Sequence, residues 1–178
     1  MTKMKKLLAV VLVCAIMAVC GASAFADISS SSHTIHTRLR NFQLSQSAGT
    51  DQFLNLYRSS TGNITTPSVP VSVWSRGSDE DQIWHYSAGY TEVVCNVRGP
   101  GNSIYSLNIY RGSNPYQCTV INSSGNLESD KIFTVDVGIV PRDYPSYALY
   151  APSANSKVYW RANTSPYSEP LARWASAA

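Results

Sequence analysis

Few residues of this chain have side chains suited to chemistry. Asp79, Glu80 and Asp81 are consecutive acids, and their oxygens suit a hard cation. Three neighbours on one short stretch do not complete a coordination sphere, so the run reads as a solvated turn. His33 and His36 stand near the start of the mature chain with no spaced partner that would make a zinc motif. His85 follows Trp84 in an apolar stretch, where strand alternation turns it toward solvent or a neighbouring loop. None of the three pairs with a serine or cysteine in a recognisable nucleophile–base pattern. A retaining glycosidase would need two carboxyls held across a cleft, which spacing along the chain does not establish. These residues favour binding over catalysis, with no metal and no cofactor expected.

The position of the charges narrows the partners. Lys3, Lys5 and Lys6 precede an uncharged apolar stretch at residues 7–20, and Ala24-Phe25-Ala26 follows. A basic start, a short apolar core and a small-x-small site describe a secretory signal peptide. The apolar run is also short of the roughly 20 residues that a membrane span needs. Residues 1–26 are therefore expected to be removed, giving a secreted, extracellular protein without membrane insertion. Those three lysines belong to the 14 Lys and Arg, and the other 11 balance 11 Asp and Glu. A formally neutral mature chain gives no electrostatic case for nucleic acid or an anionic membrane. Cys14 and Cys20 fall in the leader, so Cys95 and Cys118 remain. In an exported protein they are expected to form one disulfide, contributing about 3 kcal/mol by restricting the unfolded chain.

The elements that would position any site follow a threefold echo. Leu54-Asn55-Leu56-Tyr57 leads to Val73-Trp74 and Asp81-Gln82-Ile83-Trp84. Leu107-Asn108-Ile109-Tyr110 leads to Val120-Ile121 and Asp130-Lys131-Ile132-Phe133, and Ala148-Leu149-Tyr150 leads to Tyr159-Trp160 and Ala172-Arg173-Trp174. Repeats that cannot bury an apolar side alone must pack together. Segments at 53–57, 69–74, 82–86, 92–97, 104–110, 117–121, 131–137, 148–150 and 157–161 are rich in Val, Ile, Tyr and Trp, and Gly, Pro, Asn and Ser turn signals separate them. The chain is expected to be all-β, with a flexible leader at 27–34 and a single domain at 35–178. Its repeats span about 50–99, 100–143 and 144–176. Closing the three into a barrel removes exposed sheet edges, giving a β-trefoil with Trp84, Phe133 and Trp174 in the core. The third unit ends without a closing strand, which the segment at 34–43 can supply. An immunoglobulin-like sandwich also accommodates short alternating strands but leaves the echo unexplained.

Gln82-Ile83-Trp84 is a Q-x-W motif, and with Leu54-Asn55-Leu56 and Val71-Ser72-Val73-Trp74 upstream it resembles the unit of the ricin-type β-trefoil lectins. The resemblance is clear in the first repeat. It implies a shallow galactose-type sugar site on Asn55, Trp74 and Asp81, with Gln82 supporting the loop. An aromatic face accepts the C–H side of a sugar ring, while side-chain donors and acceptors read its hydroxyls. Asn55 stands where the family has Asp, giving up a charged acceptor. Ile121 and Lys131 in the second repeat, and Ala148 in the third, leave one family-like site at most. The expected partner is an extracellular glycan or polysaccharide. A protein target is the alternative, reached through a loop at 59–70 or around 102–103 as in a secreted protease inhibitor, or through toxin-like adhesion to a surface.

Overall fold

Residues 33–57, 68–75, 80–99, 103–122 and 129–177 are described in this computed structural model. The expected signal peptide, most of the loop at 59–70 and Asp79 lie outside them. β-Branched and aromatic residues build thirteen strands among the described residues: β1 (Ile35–Asn41), β2 (Gln52–Leu56), β3 (Ser68–Ser75), β4 (Ile83–Tyr86), β5 (Tyr90–Thr91), β6 (Val94–Cys95), β7 (Tyr105–Tyr110), β8 (Tyr116–Asn122), β9 (Phe133–Val135), β10 (Ile139–Pro141), β11 (Tyr147–Tyr150), β12 (Tyr159–Ala162) and β13 (Trp174–Ala177). A helix, α1 (Phe42–Ala48), follows β1, and 3-10 turns at Glu80–Gln82, Ser129–Lys131 and Pro170–Ala172 precede the third aromatic strand of each repeat.

Pairings close the main sheet on itself through β8, β3, β2, β1, β4, β6 and β7, with β7 returning to β8. The segment before the first repeat supplies the closing strand: Arg38 lies opposite Ala177 and Asn41 opposite Trp174. Buried Asn41 also caps α1, its Oδ1 accepting from Leu44 N at 3.1 Å while its Nδ2 donates to Leu171 O at 2.9 Å. The short helix is thereby tied to the last repeat. Its only buried side chain is Leu44, too little apolar periodicity to be visible in the sequence. Gly138 joins the second repeat to the third: a Cβ there would stand 2.7 Å from Ala172 O, closer than a side chain tolerates.

The core repeats with a substitution in the middle. Trp84 Nε1 donates to Leu54 O at 3.0 Å, and Trp174 Nε1 donates to Leu149 O at 2.9 Å. Phe133 has no N–H to offer. Trp160 stacks flat on it, with centroids 5.0 Å apart and planes 4° apart, and donates to Asn108 O at 3.2 Å. An indole of the third repeat thus donates to a carbonyl of the second, one residue past Leu107, the counterpart of Leu54. The pairing Trp174 with Leu149 matches Trp84 with Leu54, so the third repeat aligns two residues later than the sequence suggested. Tyr150, not Ala148, corresponds to Asn55.

One expectation fails here. Cys95 and Cys118 are buried thiols, not a disulfide. Val94 lies opposite Ser106 and Cys118 opposite Ile109, so Cys95 is level with Tyr105, four residues along β7 from Cys118. That is about 13 Å of strand, beyond the roughly 7 Å between Cα atoms that a disulfide spans. Of the two directions expected for His85, it takes the loop and is buried there: its Nε2 is 2.9 Å from Asn96 Oδ1 just after β6, and its Nδ1 meets His36 Nδ1 across β1 and β4.

Both thiols are expected to resist iodoacetamide in the native state and to take up two alkyl groups on unfolding without reductant. An unchanged mass after unfolding would indicate the disulfide. Burial pushes the Cys118 thiol well above its ordinary range, so its contribution is fully present at neutral pH. It is lost as pH rises past the unfolded thiol's value, where the unfolded chain alone ionises. Cys118→Ala should therefore lose less stability than the parent between pH 7.5 and 10, read from urea melts.

Candidate functional site

In the first repeat, Phe53 lies opposite Trp74 and Asn55 opposite Ser72. Alternation puts Leu54, Leu56, Val71 and Val73 on the barrel side, all fully buried, and Phe53, Asn55, Ser72 and Trp74 on the other. Asn55 and Trp74 are diagonal neighbours on that face, a separation that aromatic side chains span. The Asn55 Nδ2 donates to Leu56 O at 3.0 Å and to Ser72 Oγ at 3.3 Å. These bonds fix the amide and leave its oxygen as the acceptor the face offers.

Gln82 is buried, and its Nε2 donates to Ser75 O at 3.0 Å. That bond clamps the turn Glu80–Gln82 to the end of β3, one residue past Trp74. The turn also packs against β2, so half-buried Asp81 is held beside the same hairpin. Asn55, Trp74, Asp81 and Gln82 thus gather around one hairpin. Trp74 is 46% exposed, while Trp84, Trp160 and Trp174 are at most 1% exposed. Three indoles serve the core and one is left on the surface.

The equivalent positions elsewhere are built differently. In the second repeat Asn108 is buried, with its Nδ2 donating to Thr119 Oγ1 at 3.2 Å. Ile121 takes the place of Trp74, and Asp130 is paired with Arg111 at 2.9 Å. In the third, the corrected alignment moves Trp160 into the core position of Val73 and gives the place of Trp74 to Arg161. The Arg161 guanidinium lies 4.6 Å from the centroid of the Tyr150 ring. The first repeat alone combines an exposed indole with a neighbouring amide.

The sequence matches no protein-family model and no curated protein. Solved structures similar to it include a designed three-fold symmetric protein, ThreeFoil, with a TM-score of 0.54 at 18% identity, over 78% of this chain and 95% of that one. A β-trefoil lectin from the Vibrio vulnificus hemolysin/cytolysin, with N-acetyl-D-lactosamine bound, gives 0.51 at 19% identity, over 82% and 95%. The fold is a β-trefoil. A mosquitocidal holotoxin gives 0.57 at 10% identity, over 84% of this chain but 18% of the toxin chain. At these identities the likeness is one of fold.

The trefoil also carries a cleft that the sequence did not point to. About 820 Å³ in volume, it lies between the turn of the β7–β8 hairpin and the β11–β12 pair, with Arg111, Tyr116, Tyr147 and Arg161 on its walls. Tyr116 and Tyr147 stack with centroids 5.4 Å apart and planes 8° apart. Asp130 holds the Arg111 guanidinium above its ordinary range through charge and hydrogen bonding. The contributing residues come from two repeats, and no spacing within one repeat announces them.

Proposed function

We propose that this protein is a secreted carbohydrate-binding trefoil that acts by binding rather than catalysis and holds one sugar in its first repeat. The observation that carries this reading is the exposure of Trp74 beside Asn55, in a protein whose other three tryptophans are buried. The indole offers an apolar face to the C–H side of a pyranose. The fixed Asn55 amide oxygen and the Asp81 carboxylate supply acceptors for its hydroxyls, and Gln82 keeps the Asp81 turn in place. Fixing these groups in advance lowers the ordering cost of binding. The sugar-bound lectin of the same fold supports the reading, as do the basic start and apolar core of residues 1–26 for secretion. The toxin neighbour is consistent with such a module serving adhesion.

The test is a screen of the mature protein, residues 27–178, against immobilised glycans, with Asp81→Asn in parallel. Retention on a galactose-containing glycan that weakens about tenfold in the variant is expected, about 1.4 kcal/mol. Absence of retention on every glycan would overturn the reading and return attention to protein targets.

A further inference from the structure

We propose that the cleft between the second and third repeats is a separate site for a carboxylate-bearing sugar, such as a terminal uronate or sialate residue. It stands apart from the first-repeat site and does not depend on it. Two guanidiniums face the cleft from opposite repeats, Arg111 from the second and Arg161 from the third. Each is half-exposed and meets one carboxylate: Arg111 Nε and a terminal nitrogen both reach the single oxygen Asp130 Oδ2, at 3.1 and 2.9 Å, while a terminal nitrogen of Arg161 meets Glu169 through one contact of 3.5 Å.

A guanidinium has five N–H donors, so these contacts orient each arginine and leave it with at least three. Tyr144 and Tyr150 add ring faces under Arg111 and Arg161, at 5.9 and 4.6 Å. The arginines are thus pre-set, and a ligand need not order them. A cleft rich in fixed donors selects a group made only of acceptors, and a carboxylate satisfies two N–H groups of an arginine in parallel. Beside the arginines, the stacked pair Tyr116 and Tyr147 provides the aromatic surface that a sugar ring needs. The volume of about 820 Å³ holds one or two sugar rings. Where the first repeat places the neutral indole of Trp74, the third places the charged head of Arg161. The two sites therefore differ in the charge of the sugar they take.

The test measures binding of three soluble probes to the mature protein by titration calorimetry: an oligosaccharide ending in glucuronate, one ending in N-acetylneuraminate, and uncharged lactose. Arg161→Gln, Arg111→Gln and Trp74→Ala are run beside the parent, with folding checked by circular dichroism. At least one acidic probe should bind, lose about tenfold or more in affinity in either arginine variant, weaken with added salt and be unaffected in Trp74→Ala. Which acidic probe binds identifies the source of the carboxylate. Lactose binding, present or absent, reports on the first repeat and leaves this prediction standing. Failure of both acidic probes to bind, or acidic binding that survives both arginine variants, would overturn the proposal.

Discussion

Trp84→Ala is expected to cost about 3–5 kcal/mol of folding stability, the range for deleting a large buried aromatic side chain. Trp84 is 0% exposed and sits among the core side chains of the barrel, so its removal leaves a void lined by packed neighbours. It also removes the donor to Leu54 O at 3.0 Å, leaving a buried carbonyl without its partner. Since domains of this kind are stable by only about 5–15 kcal/mol, the loss reaches a large share of the total. Trp84→Phe keeps most of the volume and forfeits the hydrogen bond, so about 1–2 kcal/mol is expected. The second repeat already carries Phe at the equivalent position, but there Trp160 stacks on the ring and donates to the nearby Asn108 O. Among the described residues no ring stacks on Trp84 in this way. Urea unfolding of the three proteins checks the order, and a cost below about 1 kcal/mol for Trp84→Ala would contradict a threefold core built on these rings.

Trp74→Ala is expected to do the opposite: stability within about 0.5 kcal/mol of the parent, and sugar affinity down about thirtyfold. Nearly half of this side chain is exposed, at 46%, and no hydrogen bond of the hairpin depends on it, since the β2–β3 pairing is made by backbone. In the proposed site it supplies most of the apolar contact. Truncating such an anchor commonly removes about 2 kcal/mol or more, which corresponds to the thirtyfold loss. Calorimetric titration with the glycan retained in the screen, beside a urea melt, reads both quantities. A thermally intact variant that binds as tightly as the parent would remove Trp74 from the site.

The threefold architecture was legible because the aromatic that ends each unit is a core residue and recurs with the strand that feeds it. Trp84, Phe133 and Trp174 could be aligned from sequence, and they are all buried. The third repeat was misaligned by two residues because Trp160 looked like a counterpart of Trp74. The two indoles have the same chemistry, and only the pairing of Leu149 with Trp160 places the latter on the barrel side. The cysteines misled for a related reason. Two cysteines in an exported chain suggest a bond, but the register of β6, β7 and β8 separates them along the sheet, and register is a long-range property that local pattern does not carry. His85 follows strand alternation away from the core, to Asn96 in the loop after β6, and only the register of β1 beside β4 brings His36 against it. The arginine–tyrosine cleft was invisible because its walls come from two repeats. By contrast, Asn55, Trp74, Asp81 and Gln82 lie around one hairpin of a single repeat, the kind of proximity that a motif in a single sequence preserves.

The proposed function turns on a sugar stacked against Trp74. Of the four indoles in the chain, those of Trp84, Trp160 and Trp174 donate to buried carbonyls. In a two-dimensional nitrogen–proton spectrum of the mature protein, titration with the retained glycan should move the indole N–H signal of Trp74 and the side-chain amide of Asn55, with the other three indole signals fixed. Shifts confined to other residues, with the Trp74 signal unmoved at saturation, would contradict it.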